Sequence, residues 1–294
     1  MEIIIEVGDE ANQEFIKHEL IFVEKIAESL KLNVSRVIVP ANFQAKVNEI
    51  QGRDDYKMQR GVENAQVTVA AKIIEDGDNV TIVLSPLIYL QPFDIMVRCF
   101  LMTHELIHLV NKGYFPEIPK GSFALENYLG NLYILFDEYT ADRDAYSIIE
   151  GTFEPHTQAW ELYNQDGVLG YLNPTSDPRY YGHIRSEIDS FRDHGNVDLY
   201  WKNIWETVHV VSISTVHGYA KYHEHFEKYK DLNIPRTNFI NEKTLDLMDY
   251  FKRKYESQDD DLIDGIGIIE EYLTNFGVRF EDHLEGGWIE VLDI

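Results

Sequence analysis

The chain has little cysteine, little positive charge and no long apolar run. Cys99 is the only cysteine in 294 residues, so no internal disulfide can form and a reducing compartment is expected. Lys and Arg number 26 against 51 Asp and Glu, which gives a formal net charge of -25. Such a field repels nucleic acid backbones and anionic membranes. Because charged or polar residues interrupt every apolar segment before about 18 residues, we expect neither a nucleic acid partner nor a membrane span.

The first residues predict a strand rather than an export signal. An apolar trio lies between Glu2 and Glu6, and no basic segment precedes it. The composition is 44% hydrophobic, which is typical of a globular protein and excludes a disordered or collagen-like chain. We therefore expect a folded cytoplasmic protein.

Apolar spacing predicts secondary structure along the chain. Residues 12–32 carry a helical stripe, and residues 67–74 and 80–84 predict two strands of a hairpin, joined by Glu75-Asp76-Gly77-Asp78-Asn79. Asp94 is expected to cap an apolar helix that ends near Gly113, and residues 123–150 predict a second long helix. Residues 151–182 favour a loop, and residues 197–228 a helix, although the β-branched run 210–216 also fits a strand.

The first of these long helices contains the motif HExxH in His104, Glu105 and His108. Residues four apart lie on one helix face at roughly 6 Å, so the two imidazoles can converge on one ion. Glu105 projects about 100° further round, where a base for a water activated by the metal belongs. Burying these groups in an otherwise apolar helix without a cation would cost several kcal/mol.

A zinc site for catalysis needs a third protein ligand. The metzincin extension of the motif is absent, because Asn111 stands where its glycine belongs and Tyr114 where its histidine belongs. Glu138 and Asp142 form an ExxAD pattern thirty residues after His108. With HExxH, this pattern resembles the gluzincin zinc metallopeptidases, which have a thermolysin-like or minigluzincin-like catalytic core.

The resemblance implies a Zn²⁺ ion held by His104, His108 and Glu138, with Glu105 as general base in peptide-bond hydrolysis of a peptide or protein substrate. It also implies that Asp142 orients His104. A donor to the developing oxyanion is expected from the downstream part of the chain, and the candidates are Tyr180, Tyr181, His183 and His217.

The fold expected from the resemblance is α+β in two lobes. Residues 1–113 would form an N-terminal lobe with a sheet and the HExxH helix, and residues 114–294 a mainly helical lobe that carries the third ligand. In this family a strand at the sheet edge pairs with the extended substrate, and either strand of the predicted hairpin fits that part.

Two other functions share the same motifs. A catalytically silent gluzincin scaffold would bind a peptide or partner protein, although the presence of Glu105 argues against it, since zinc binding does not need that carboxylate. A regulatory protease with a single protein substrate would have the same site and would not cut generic peptides.

Overall fold

The computed structural model describes residues 1–63, 65–77, 79–90, 93–284 and 286–294. The chain has an α+β fold, 62% helical with small sheets. It divides into two compact units, the first comprising Met1–Arg60, Val67–Gly113 and Arg143–Gln165, and the second Gly61–Gln66, Tyr114–Asp142 and Asp166–Ile294.

The described strands are β1 (Glu2–Ile5), β2 (Arg36–Val39), β3 (Gln59–Val62), β4 (Ala65–Thr68), β5 (Ala71–Asp76), β6 (Asn79–Leu84), β7 (Val278–His283) and β8 (Gly286–Val291). The described α-helices are α1 (Glu10–Ser29), α2 (Phe43–Gln51), α3 (Leu87–Leu90), α4 (Ile95–Tyr114), α5 (Phe123–Thr152), α6 (Gln158–Ser176), α7 (Pro178–His194), α8 (Val197–Glu224), α9 (Phe226–Tyr229), α10 (Glu242–Ser257) and α11 (Ile266–Leu273).

The first unit is built on a four-stranded sheet of order β1-β2-β6-β5. The first three strands run parallel, and β5 is an antiparallel edge strand. Side chains alternate between the faces of the sheet. Ile82 and Leu84 pack into the core that contains α1 and α4, whereas Val83 packs with Phe43 and Val47 of α2 on the opposite face.

The predicted hairpin is confirmed as β5 and β6, with Asp76 paired to Asn79 across the turn. The first strand begins at Ala71, four residues later than the predicted start at residue 67. Asp78 lies outside the described residues.

The HExxH helix is confirmed as α4, which is buried around most of its circumference. The Met96 amide donates to the Asp94 carboxylate at 2.9 Å, so Asp94 satisfies a free N–H at the helix start as predicted. The helix ends at Tyr114, one residue beyond Gly113. Its burial explains why polar side chains within it require partners.

The second unit is mainly helical and includes the β7–β8 hairpin. The Tyr128 hydroxyl of α5 bonds both backbone groups of Phe280, donating to its carbonyl at 3.0 Å and accepting from its amide at 2.8 Å. This contact fixes the start of α5 against the hairpin. The prediction of a second long helix is confirmed, with α5 ending two residues later than expected.

One prediction from local sequence is wrong. The expected loop at 151–182 contains α6 and the start of α7. Pro174 lies in the last turns of α6, and Pro178 occupies the first position of α7 after its Asp177 cap, where proline is tolerated. The run 210–216 is helical within α8, so the helix predicted at 197–228 is confirmed and the strand alternative is wrong. Most of this run is buried there, so tertiary packing overrides its β propensity.

Candidate metal centre

Helix α4 brings the two motif histidines together. The Nε2 atoms of His104 and His108 are 3.0 Å apart, and their rings are nearly perpendicular with centroids 4.5 Å apart. Two nitrogens bound tetrahedrally to one zinc at 2.0–2.1 Å would be about 3.3 Å apart. The helix therefore presents two imidazole nitrogens at close to the spacing of ligands on a shared ion.

The expected base, Glu105, is half-buried on the same helix. Burial is the largest cause that raises the pKa of Tyr56; the charge of Arg60 lowers this pKa, and the charge of Glu105 raises it further. Arg60 lies over the Tyr56 ring at 5.9 Å. Tyr56 is thus a buried phenol in the electrostatic neighbourhood of the base. No sequence motif marked it, because it lies in the polar segment that follows α2.

Helix α5 presents Glu138 and Asp142 on one face, one turn apart. The Asp142 side chain is 1% exposed and that of Glu138 is 22% exposed. Ala141, between them, is fully buried. A buried carboxylate needs a charged or hydrogen-bonding partner to remain ionised, so the contacts of Asp142 are informative about the site.

A partner of Asp142 is His217 of α8. The His217 Nδ1 lies 2.7 Å from Asp142 Oδ2, and its Nε2 lies 3.7 Å from Glu138 Oε2. The Tyr171 ring packs against the imidazole with centroids 5.3 Å apart. The expectation that Asp142 orients His104 stays a prediction.

One group of side chains among the described residues has the geometry to hold a metal ion. It comprises His104, Glu138 and His217, whose ligand atoms all lie within 4.8 Å of one another. His108 adjoins this group through its 3.0 Å contact with His104. We refer to these four residues as the donor cluster. Imidazole nitrogen with carboxylate oxygen is the ligand chemistry that zinc adopts in catalytic sites.

The other three oxyanion candidates have different surroundings. The Tyr180 hydroxyl donates to the Ala65 carbonyl, and this side chain is buried. Tyr181 packs edge-on against Phe239 and lines a shallow pocket of about 460 Å³. The His183 Nε2 lies 3.1 Å from the Asn203 carbonyl. The structure therefore places only His217, of the four candidates, beside the predicted ligand Glu138.

Cys99 has no part in the cluster as a reactive group. It is fully buried in α4, and burial raises the pKa of its thiol to about 12. A thiol of this kind stays protonated at neutral pH and is inert as a ligand or nucleophile.

Comparisons with known proteins give no match from which the role of the site could be inferred. No protein-family model, no curated protein and no solved structure matches the chain. Within the described part of the chain, none of the helices combines the length and the apolar character needed to cross a membrane.

Proposed function

We propose that the chain is a zinc-dependent peptidase of the gluzincin type that hydrolyses peptide bonds in the cytoplasm, with Glu105 as its general base. The observation that carries the proposal is the donor cluster, in which His104 of HExxH and Glu138 of ExxAD offer ligand atoms within 4.8 Å. Two short motifs, separated in the sequence, supply complementary donors in one group. An incidental acidic helix surface would not explain why the Glu138 carboxylate is grouped with the motif histidine.

The donors fit zinc by their chemistry. Two histidines and one glutamate form a ligand set of known zinc hydrolases. When bound, zinc lowers the pKa of a water towards about 7 and polarises a carbonyl. The chain would contribute His104, His108 and Glu138 as ligands, and His104 is buried.

Aromatic packing within the first unit holds α4 against the C-terminal part of α5. Phe100 stacks on Tyr146 with centroids 4.3 Å apart. One turn forward from Phe100 along α4 lies His104, so this stack fixes the turn of α4 that precedes the HExxH motif.

Glu105 holds and moves the proton in the proposed reaction. Its half-buried carboxylate accepts a proton from the attacking water and delivers it to the nitrogen of the leaving amine. Glu105 lies on the same helix as His104 and His108, where it would serve a water held by the metal.

The edge strand β5 is the proposed docking site for the substrate backbone. It is an outer strand in the sheet order, so one row of its N–H and C=O groups faces away from the other strands. An extended peptide can pair with such an edge through main-chain hydrogen bonds. Lys112 near the end of α4 pairs with Glu75 of this strand at 2.6 Å, which ties β5 to the helix that carries the ligands.

The test is digestion of a peptide library by the zinc-loaded protein, with and without a chelator, and by Glu105→Gln. The substitution keeps the size of the side chain and removes its basic carboxylate. We expect chelator-sensitive cleavage by the wild type, and a rate at least about 10² to 10⁴ lower in the variant with zinc still bound.

The control is Glu117→Gln, which makes the same chemical change at an exposed position and should leave the rate unchanged. Cleavage by Glu105→Gln at the wild-type rate, with zinc bound, would refute the mechanism. If the wild type cuts nothing but both forms bind a partner equally well, the silent scaffold explains the chain better.

A further inference from the structure

The imidazole of His217 lies between two carboxylates at unequal distances. Its Nδ1 is 2.7 Å from Asp142 Oδ2, which is a hydrogen bond, whereas its Nε2 is 3.7 Å from Glu138 Oε2, which is beyond hydrogen-bonding range. The side chain is 17% exposed and that of Asp142 is 1% exposed. The two ring nitrogens therefore have different surroundings.

This arrangement fits a metal ligand. A metal-binding histidine donates one ring N–H to a carboxylate, which fixes the tautomer and directs the other nitrogen at the ion. Asp142 has the position of that acceptor, and the His217 Nε2 and Glu138 Oε2 atoms have the separation of two donors around one ion.

Helix packing holds the His217 ring in this orientation. Gly218, the next residue, lies so close to α6 that a Cβ there would be 2.7 Å from the Leu172 side chain. One turn later, Lys221 is fully buried and its Nζ lies 5.8 Å from the centre of the Tyr171 ring. Tyr171 in turn packs on the His217 imidazole. The orientation thus depends on a close contact between α6 and α8 and not on a mobile side chain.

We propose that His217 is a fourth protein ligand of the zinc in the absence of substrate, oriented by Asp142. The inference rests on the proposed function. Three protein ligands with an open position are typical of catalytic zinc sites, and four protein ligands of closed ones. With His104, His108 and Glu138, His217 completes four donors. If the His217 imidazole leaves the zinc, one coordination position opens, and the residues of HExxH and ExxAD keep their roles.

The number of coordinated histidines tests the proposal on the wild-type chain. Zinc is replaced by ¹¹³Cd, and the histidine ring protons coupled to the metal are counted by heteronuclear NMR. We expect three coupled imidazoles, from His104, His108 and His217. Two coupled imidazoles would overturn the fourth ligand while leaving the peptidase proposal standing, and none would overturn both.

A second experiment uses the open position created by removing His217. Loss of a residue that only orients a ligand weakens metal binding by about 10–100-fold. His217→Ala should weaken zinc binding by more than this. Its cobalt-loaded form should bind azide with a change in visible absorption, whereas cobalt-loaded wild type should not. If the Ala variant does not fold, His217→Gln keeps most of the side-chain volume and an amide donor for Asp142.

The matched control is His183→Ala, which removes a histidine whose Nε2 contacts the Asn203 carbonyl and should keep wild-type zinc affinity. Unchanged zinc affinity in both His217 variants, with azide binding to cobalt-loaded wild type, would overturn the inference. His108→Ala separates the two proposals. Full zinc retention in that variant would mean that the proposed function has failed, whatever His217 does.

Discussion

Phe100 connects the packing of α4 to the position of the candidate ligands. The side chain is 1% exposed and packs against the rings of Tyr146, Trp160 and Tyr163, with centroids 4.3, 6.0 and 6.4 Å away, and against the His104 imidazole at 6.3 Å. Phe100→Ala removes these contacts and leaves a cavity, which costs about 3–5 kcal/mol. At about 2 °C per kcal/mol, the melting temperature should fall by about 6–10 °C.

The assay is thermal unfolding by circular dichroism, together with zinc titration of the folded variant. Zinc affinity should fall as well, because Phe100 lies one turn before His104. Phe15→Ala is the control, since that ring is 53% exposed and its loss should cost less than about 1 kcal/mol. A Phe100→Ala variant as stable as the control would refute the role assigned to this stack.

Three further predictions concern other parts of the chain. Gly218→Ala should destabilise the protein by about 1–3 kcal/mol in urea unfolding, because the new Cβ would meet Leu172, which is buried and cannot move aside. Gly170→Ala is its control: there is open space around the Cβ position, so the change should be neutral or stabilising by up to about 1 kcal/mol. Cys99 should react with a thiol reagent only after unfolding, and fast labelling of the native protein would contradict its burial. Lys254 lowers the pKa of Asp259 below its ordinary 3.8 through a hydrogen bond. The contribution of this pair to the free energy of unfolding is therefore present above about pH 4 and is lost as the pH falls through the folded pKa. Lys254→Met should make the free energy of unfolding fall less steeply in acid, and an unchanged pH dependence would refute the pairing.

The sequence predicted the elements with strong periodicity. The apolar spacing of α4, its Asp94 cap and the long α5 were recognisable because local signals and burial agree there. Helix α6 and the start of α7 were missed because prolines at their junction are also typical of loops. The strand alternative for α8 failed because β propensity does not report how the run packs in the folded chain, where most of it is buried in a helix.

The candidate site was predictable only in part. HExxH places His104 and His108 on one helix face by their spacing, whereas Glu138 was predicted from the resemblance of the ExxAD pattern to gluzincins. His217 was one of four candidates and could not be ranked, because its place beside Glu138 depends on how α8 packs on α6. Tyr56 has no motif at all, and only its electrostatic coupling to Glu105 draws attention to it.

Metal analysis of the purified protein is the most direct test of the central claim. After exposure to zinc and dialysis, the wild type should retain one zinc per chain, and His104→Ala, His108→Ala and Glu138→Ala should each lose most of it. Each variant should also melt at a lower temperature, because the metal stabilises only the folded state. Full zinc occupancy in the three variants, or none in the wild type, would contradict the account.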